Sequence, residues 1–142
     1  MKKIYTLLLL ITVIFGSCKK DDAKNAKGTL TAKIDLYDTI TKKWSGGQDF
    51  TATKVETSKS GDNYTVKGSD AAGTSFSLTV KNVTAAGKYT DIDASLVKAG
   101  KTYNTAWGNV TVTEVTSKSL KATFIFEGAE WSVNNGVVDA SF

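Results

Sequence analysis

Apolar and polar residues alternate through most of residues 28–142, and this period of two is the feature that most limits the fold. It is typical of strands with one face in a core and one in solvent, because successive side chains point to opposite faces. The alternating runs are residues 30–37, 64–67, 76–81, 110–113 and 120–127, with shorter apolar runs at 50–55, 131–133 and 138–142. The pattern predicts a domain built almost entirely from strands.

Short segments rich in Gly, Ser, Asn and Asp separate these runs and predict turns. They are Ser45-Gly46-Gly47, Ser60-Gly61-Asp62-Asn63, Ala72-Gly73, Ala86-Gly87, Ala99-Gly100 and Asn134-Asn135-Gly136. Asn135-Gly136 predicts a type I′ hairpin turn, because both residue types tolerate the positive φ angles that this turn needs. We therefore expect a single all-β domain, an antiparallel β-sandwich or barrel of about eight strands.

Residues 91–101 leave the local structure open. Asp93-Ala94-Ser95-Leu96-Val97-Lys98 could begin a short helix or form one arm of a hairpin. We favour a hairpin that turns through residues 98–101, because an isolated helix of this length is not stable in water.

A different pattern precedes the domain. Two lysines and an apolar run over residues 4–15 come before Gly16-Ser17-Cys18. A helix of that run would extend about 18 Å, too short for a hydrocarbon core of about 30 Å, so it indicates a signal peptide. Small residues before the only cysteine resemble a bacterial lipobox, so we expect cleavage before Cys18 and a lipid on its thiol. An ordinary secretory signal with a chance cysteine is the alternative.

The predicted organisation is a signal peptide over residues 1–17, a lipidated cysteine and flexible tether over residues 18–27, and the β domain over residues 28–142. The tether holds no large apolar residue whose burial could offset the entropy of ordering it. Its first residues, Lys19, Lys20, Asp21 and Asp22, resemble the surface-export signal of Bacteroidota lipoproteins. The resemblance implies an outer-membrane protein held by its lipid on the cell surface, with a periplasm-facing location as the alternative.

Several strand segments extend the resemblance to small Bacteroidota lipoproteins of unknown function. They are Thr31-Ala32-Lys33-Ile34-Asp35 with Trp44-Ser45, Leu78-Thr79-Val80-Lys81-Asn82-Val83 with Gly87-Lys88-Tyr89-Thr90, Gly108-Asn109-Val110-Thr111-Val112-Thr113-Glu114, Leu120-Lys121-Ala122-Thr123-Phe124-Ile125-Phe126, and residues 135–142. The resemblance implies an all-β domain and carries over no catalytic residue, because these motifs consist mostly of strand residues.

The charge distribution argues against nucleic acid as a partner. The whole chain has a formal charge of +4, but residues 28–142 hold twelve lysines and twelve acidic residues. The chain has no arginine, which excludes bidentate guanidinium contacts to phosphate or guanine.

The residue types also limit the chemistry. The chain has no histidine, which excludes Ser-His-Asp, Cys-His and His-metal sites. Two carboxylate pairs remain as candidates for glycoside hydrolysis, Asp91 with Asp93 and Glu127 with Glu130. Asp62 could join the first pair as an oxygen ligand for Ca²⁺, although no EF-hand-like loop occurs. We expect these carboxylates to be solvated, and we predict no catalytic residue, cofactor or metal.

Four aromatic residues are candidates for ligand binding: Tyr37, Trp44, Tyr103 and Trp107 fall in or near predicted loops and strand ends. Such rings can stack on sugars or anchor a protein, or they can close the ends of the core. We therefore predict a monomeric, non-enzymatic cell-envelope lipoprotein that binds a glycan or a protein. The alternatives are a periplasm-facing structural or inhibitory (immunity-type) lipoprotein and a hydrolase that uses paired carboxylates.

The predicted export signal can be tested on intact cells. Added protease should cleave the wild type and leave an Asp21→Ala, Asp22→Ala double variant uncleaved, because the variant loses the acidic part of the signal. Cleavage in lysed cells is the control for both. If both proteins resist protease on intact cells and are cleaved after lysis, the domain faces the periplasm.

Overall fold

Strands and turns make up residues 28–142, the part of the chain that the computed structural model describes. No helix occurs in these residues, which confirms the all-β class. The predicted signal peptide, Cys18 and the predicted tether with its export signal (residues 1–27) lie outside the described residues.

Twelve strands follow one another along the domain. They are β1 (Gly28–Asp38), β2 (Lys43–Trp44), β3 (Gln48–Thr51), β4 (Lys54–Ser60), β5 (Asn63–Ser69), β6 (Ser75–Val80), β7 (Gly87–Tyr89), β8 (Ile92–Lys98), β9 (Lys101–Asn104), β10 (Trp107–Val115), β11 (Ser119–Glu127) and β12 (Trp131–Ser141). The count exceeds the expected eight mainly because β2, β3, β7 and β9 have only two to four residues each. A period of two cannot be recognised over so few residues.

The strands form two antiparallel sheets that pack face to face. The first sheet has seven strands in the order β2-β1-β12-β11-β10-β7, with β3 also paired to β1. The second sheet has five strands in the order β4-β5-β6-β8-β9. The fold is therefore a β-sandwich, one of the two architectures that the sequence predicts.

An aromatic cluster joins the two sheets. Phe76 of the second sheet stacks on Phe124 of the first with ring centroids 5.4 Å apart. Its ring also lies 5.9 Å from Phe126 and 6.2 Å from Trp131, both of the first sheet. Each of the four side chains is at most 2% exposed. Burying one large apolar side chain stabilises a fold by about 1.5–3 kcal/mol, so this cluster contributes strongly to the packing of the sheets.

Polar side-chain atoms bridge the sheets near the two ends of the sandwich. We name these the Gly28 end, where β1 begins, and the Trp131 end, where its antiparallel neighbour β12 begins. At the Gly28 end the Tyr64 hydroxyl donates to the Thr116 carbonyl at 3.0 Å. At the Trp131 end the indole N–H donates to the Asn104 carbonyl at 2.9 Å. Both large aromatic side chains thus bury their rings and satisfy their polar atoms.

The prediction of a hairpin turn at Asn135-Gly136 is wrong, because both residues lie inside β12. The register of β12 against β1 and against β11 shifts here by one extra residue. Asn135 has a φ of 52°, so the segment is a β-bulge. Asn135 suits the bulge for the reason that it would suit a type I′ turn, since both structures need a residue that accepts positive φ.

The hairpin predicted over residues 91–104 is confirmed. β8 and β9 pair directly, with Lys98 opposite Lys101. The two residues between them, Ala99 and Gly100, have φ angles of 50° and 76°. Positive φ at both central residues is the geometry of a type I′ turn.

Gly136 provides a test of the packing around the bulge. A Cβ atom at this position would lie 2.2 Å from the ring of buried Phe124. We expect Gly136→Ala to lower the free energy of unfolding by about 1–3 kcal/mol, the usual cost of overpacking a core. Urea-induced unfolding measures the change.

Gly87→Ala is the matched control, because the nearest atom to a Cβ there is 3.9 Å away. That variant should stay within about 0.5 kcal/mol of the wild type. Equal stability of the two variants would contradict the packing described for Phe124.

Candidate binding face

Three exposed apolar side chains lie on the outer face of the first sheet, the surface that points away from the core. Trp107, Ile125 and Val137 are 57%, 42% and 44% exposed. Their strands alternate, so buried neighbours fix the direction of each side chain: Ile125, for example, lies between Phe124 and Phe126, which are both buried. Exposed apolar groups on one face are candidates for contact with a ligand.

Tyr37 and Trp44 form an aromatic pair at the edge of this face. They lie opposite each other in the β1–β2 ladder, with ring centroids 5.3 Å apart and planes tilted by 56°. Trp44 is 46% exposed. An aromatic pair of this kind contributes about 0.5–1.5 kcal/mol beyond its buried area, so Tyr37 restricts the position of the Trp44 ring.

Carboxylates hold the backbone on both sides of Trp44. Asp35 accepts hydrogen bonds from the Ser45 hydroxyl at 2.8 Å and from the Gly46 amide at 3.0 Å. Asp38 accepts from the amides of Ile40 and Thr41 in the turn before β2. The two-residue strand β2 is therefore fixed at both of its ends by side chains of β1.

These hydrogen bonds change the acidity of Asp35. Partial burial acts to raise the pKa of the carboxyl group, but the hydrogen bonds from the Ser45 hydroxyl and from the amides of residues 45–47 together outweigh it. The pKa of Asp35 therefore lies below its ordinary value of 3.8. The carboxylate form is the one that holds the segment after Trp44.

Trp107 lies at the same end of the sandwich and on the same outer face, but near the opposite edge of the first sheet. It begins β10 and pairs with Glu127 of β11. Three strands (β1, β12 and β11) separate β10 from β2. At about 4.8 Å between neighbouring strands, Trp44 and Trp107 stand about 19 Å apart across the sheet. The outer face is thus bordered by an exposed tryptophan on each side.

Uncharged side chains occupy the middle of the outer face. Thr31, Val137, Thr123 and Thr111 lie opposite one another across β1, β12, β11 and β10. All four alternate with buried residues, so they share the outer face. The hydroxyl groups of the three threonines can both donate and accept hydrogen bonds.

Tyr103, the fourth aromatic candidate, does not lie on this face. It belongs to the edge strand β9 of the second sheet and packs, partly buried, against the core. The Lys101 ammonium group stands 4.8 Å from the centre of its ring. The structure therefore brings together Tyr37 and Trp44, places Trp107 on the same face, and leaves Tyr103 apart.

Sequence reasoning did not include three exposed residues among the candidates. Ile40 is 90% exposed in the turn between β1 and β2. Ile125 occupies a polar position of an alternating run, and that signal could have identified it. The alternation of Val137 with buried Val138 and Ala140 gives the same signal, but continuing the period of two from Trp131 and Val133 gives the opposite face, because the bulge at Asn135 shifts the pattern.

Three of the four candidate carboxylates lie in surface ion pairs, and Glu127 is exposed at the end of β11. Lys81 contacts Asp91 at 3.4 Å and Asp93 at 2.9 Å, and the two acidic side chains are 60% and 70% exposed. The hydrogen bond to Asp93, and then the contacts with Asp91, raise the pKa of Lys81. Glu130 pairs with Lys101. These contacts are typical of solvated surface charges, which contribute little to stability.

The role of Asp35 predicts a pH dependence. Its pKa is lowered in the folded protein, so its stabilising effect is present above the unfolded pKa and is lost as the pH falls through the folded pKa. At neutral pH, Asp35→Asn should reduce the free energy of unfolding by less than about 1 kcal/mol, because the group is only partly buried and solvent screens its charge. The difference from wild type should shrink at low pH, as measured by urea unfolding at several pH values.

Ser45→Ala is the matched variant, since it removes one donor and leaves the backbone amides in place. It should weaken the pH dependence without abolishing it. A difference between wild type and Asp35→Asn that does not change with pH would contradict this role for the carboxylate.

Comparisons of the chain with protein-family models, with curated proteins and with solved structures find no match. The likeness to Bacteroidota lipoproteins therefore stays an expectation from the sequence motifs. Residues 28–142 contain no helix, and therefore no helical segment that could span a membrane. No group of three or more Cys, Asp or Glu residues that could hold a metal ion occurs in the same residues. The exposed side chains of the outer face are the feature of the described residues on which a proposal about binding can rest.

Proposed function

We propose that the protein is a lipid-anchored, non-enzymatic cell-envelope module that binds a saccharide on the outer face of the first sheet. The observation that carries the proposal is the exposure of Trp44 and Trp107 on one face, at 46% and 57%. The third tryptophan, Trp131, is 1% exposed in the core. Two solvent-exposed tryptophans on one face indicate an interaction surface, because a ligand that covers them removes apolar area from water.

The composition of the face favours a saccharide. An aromatic ring offers a flat apolar surface to the C–H groups of a sugar ring. Asp35, Ser132 and Glu127 lie in register across the sheet between the Trp44 edge and Trp107, and their oxygen atoms can bond the hydroxyl groups of the sugar. Binding sites for small polar ligands commonly combine apolar and aromatic surface with a few well-placed polar groups. Both kinds of group occur on the outer face, where the threonines add further hydroxyl groups toward the Gly28 end.

The direction of β1 supports presentation away from the membrane. β1 runs for 11 residues, from Gly28 to Asp38, and spans about 34 Å at about 3.4 Å per residue. The predicted tether joins the domain at the Gly28 end, whereas Trp44 and Trp107 belong to the Trp131 end. A lipid on Cys18 would therefore hold the aromatic residues on the far side of the domain.

Surface display follows from the same proposal. Lys19, Lys20, Asp21 and Asp22 would serve as the export signal behind the lipidated cysteine. On the cell surface, the Trp131 end would meet extracellular glycans, which would be excluded if the domain faced inward.

A protein partner is the second candidate, and one observation favours it. Ile40 is 90% exposed at the tip of the β1–β2 hairpin, and Asp38 holds that turn through the amides of Ile40 and Thr41. A rigid apolar tip could enter a pocket of a partner, as expected for an inhibitory or immunity-type lipoprotein.

Binding to a panel of immobilised neutral polysaccharides tests the proposal. We expect the wild type to bind at least one of them. Trp107→Ala and Trp44→Ala should each weaken binding about tenfold, equivalent to about 1.4 kcal/mol, because each removes one stacking surface. Circular dichroism and thermal unfolding show whether the variants keep the fold.

Two control variants sharpen the result. Lys67→Ala changes an exposed residue of the second sheet, and Ile40→Ala removes the other exposed apolar side chain at the Trp131 end. Neither should affect saccharide binding. Binding that is lost in Ile40→Ala and kept in both tryptophan variants would favour the hairpin instead, and no binding to any polysaccharide would contradict the proposal.

A further inference from the structure

A groove crosses the outer face where β12 carries its bulge. Its volume is about 390 Å³, and its side-chain lining includes Asn109, Thr111, Thr123, Ile125, Asn135 and Val137. This volume falls within the range of small-molecule sites, which begins at about 300 Å³.

The bulge shapes the side of the groove formed by β12. The extra residue of β12 breaks the regular pairing opposite Ile125, between the Phe124–Gly136 and Phe126–Val133 pairs. Asn135 takes its positive φ at this point, and Gly136 adds no side chain. Bulges commonly redirect a side chain beside a functional site, and here the redirected residue is an asparagine that lines the groove.

The lining combines two kinds of group. Ile125 and Val137 offer apolar surface that is 42% and 44% exposed, and Asn109 and Asn135 offer amide donors and acceptors beside it. No ionisable side chain is among the residues that line the groove in the described domain. Charge complementarity therefore favours an uncharged ligand with a small apolar group and a hydrogen-bonding group close together.

We infer that the groove binds the acetamido group of a 2-acetamido sugar. The methyl group of the acetamide would pack against Ile125 and Val137, and its N–H and C=O would bond the side-chain amides of Asn109 and Asn135. A hexose with a hydroxyl at the same position lacks the methyl group and the carbonyl. This inference rests on the proposed saccharide function and names the sugar class that the outer face prefers.

Trp107 borders the groove and extends the site. Trp107 lies opposite Glu127, and Asn109 lies opposite Ile125 in the same ladder. Trp107 and Ile125 are therefore diagonal neighbours on one face, a separation that aromatic side chains reach. A sugar held in the groove would place an adjoining ring of the saccharide over the indole of Trp107.

Two trisaccharides that differ in this one group test the inference. Tri-N-acetylchitotriose and cellotriose are both β-1,4-linked and differ only in acetamido or hydroxyl at C2. Isothermal titration of the purified full-length protein should give a dissociation constant for tri-N-acetylchitotriose about tenfold lower than for cellotriose. Asn109→Ala and Asn135→Gly should each reduce that preference severalfold, and glycine keeps the positive φ of residue 135 without strain.

Ser77→Ala is the matched control, because Ser77 lines a groove of similar size on the second sheet and should not affect the preference. Equal affinity for the two sugars, with both weakened by Trp107→Ala, would overturn the inference and keep the saccharide function. If both asparagine variants keep the preference for tri-N-acetylchitotriose, the groove is not the source of that preference and the inference is wrong. Absence of binding by either trisaccharide would also overturn the inference, while the polysaccharide panel decides the broader function.

Discussion

The contact between Phe76 and the aromatic rings of the first sheet is the interaction on which the rest of the sandwich depends. Phe76 stacks on Phe124 and also meets Phe126 and Trp131. The two sheets are separate hydrogen-bonded ladders, so their association depends mainly on apolar burial and on a few polar bridges such as Trp131 to Asn104. Because these inward side chains fill the core, the outward tryptophans are not needed for it.

The direction in which β1 runs along the sandwich links the fold to the proposed function. β1 starts at the Gly28 end and finishes beside Trp44, and antiparallel pairing places the first residues of β10 and β12 at that same far end. The predicted lipid anchor and the exposed tryptophans therefore belong to opposite ends of the sandwich. Under the proposed function, this arrangement would give a small domain a membrane side and a ligand side without a second domain.

The sequence predicted the fold class because most strands alternate cleanly. In β11, the pattern identifies both the buried phenylalanines and the outward position of Ile125. It failed at Asn135-Gly136, since tolerance of positive φ does not distinguish a turn from a bulge. The groove was not predictable, because it depends on that bulge and on the pairing of β10, β11 and β12, which are tertiary properties.

The candidate site was predicted only in part for a related reason. Tyr37, Trp44, Tyr103 and Trp107 all looked suited to strand ends, yet Tyr103 packs against the core and the others share the outer face. Strand β2 has only two residues, so its sequence contains no alternating pattern that would show which face Trp44 occupies. The face that an aromatic ring occupies at the end of a strand depends on strand pairing and register, and local sequence does not contain this information.

Tryptophan fluorescence on vesicles measures directly whether the tethered domain holds its exposed tryptophans away from the membrane. The mature lipoprotein would be inserted through its lipid into vesicles that contain brominated phospholipids, and acrylamide would be added to a parallel sample. We predict that acrylamide quenches the emission of Trp44 and Trp107 while the brominated lipids leave it unchanged. Quenching by brominated lipid that disappears in a Trp44→Phe, Trp107→Phe double variant would show that this end faces the membrane, and would contradict the account.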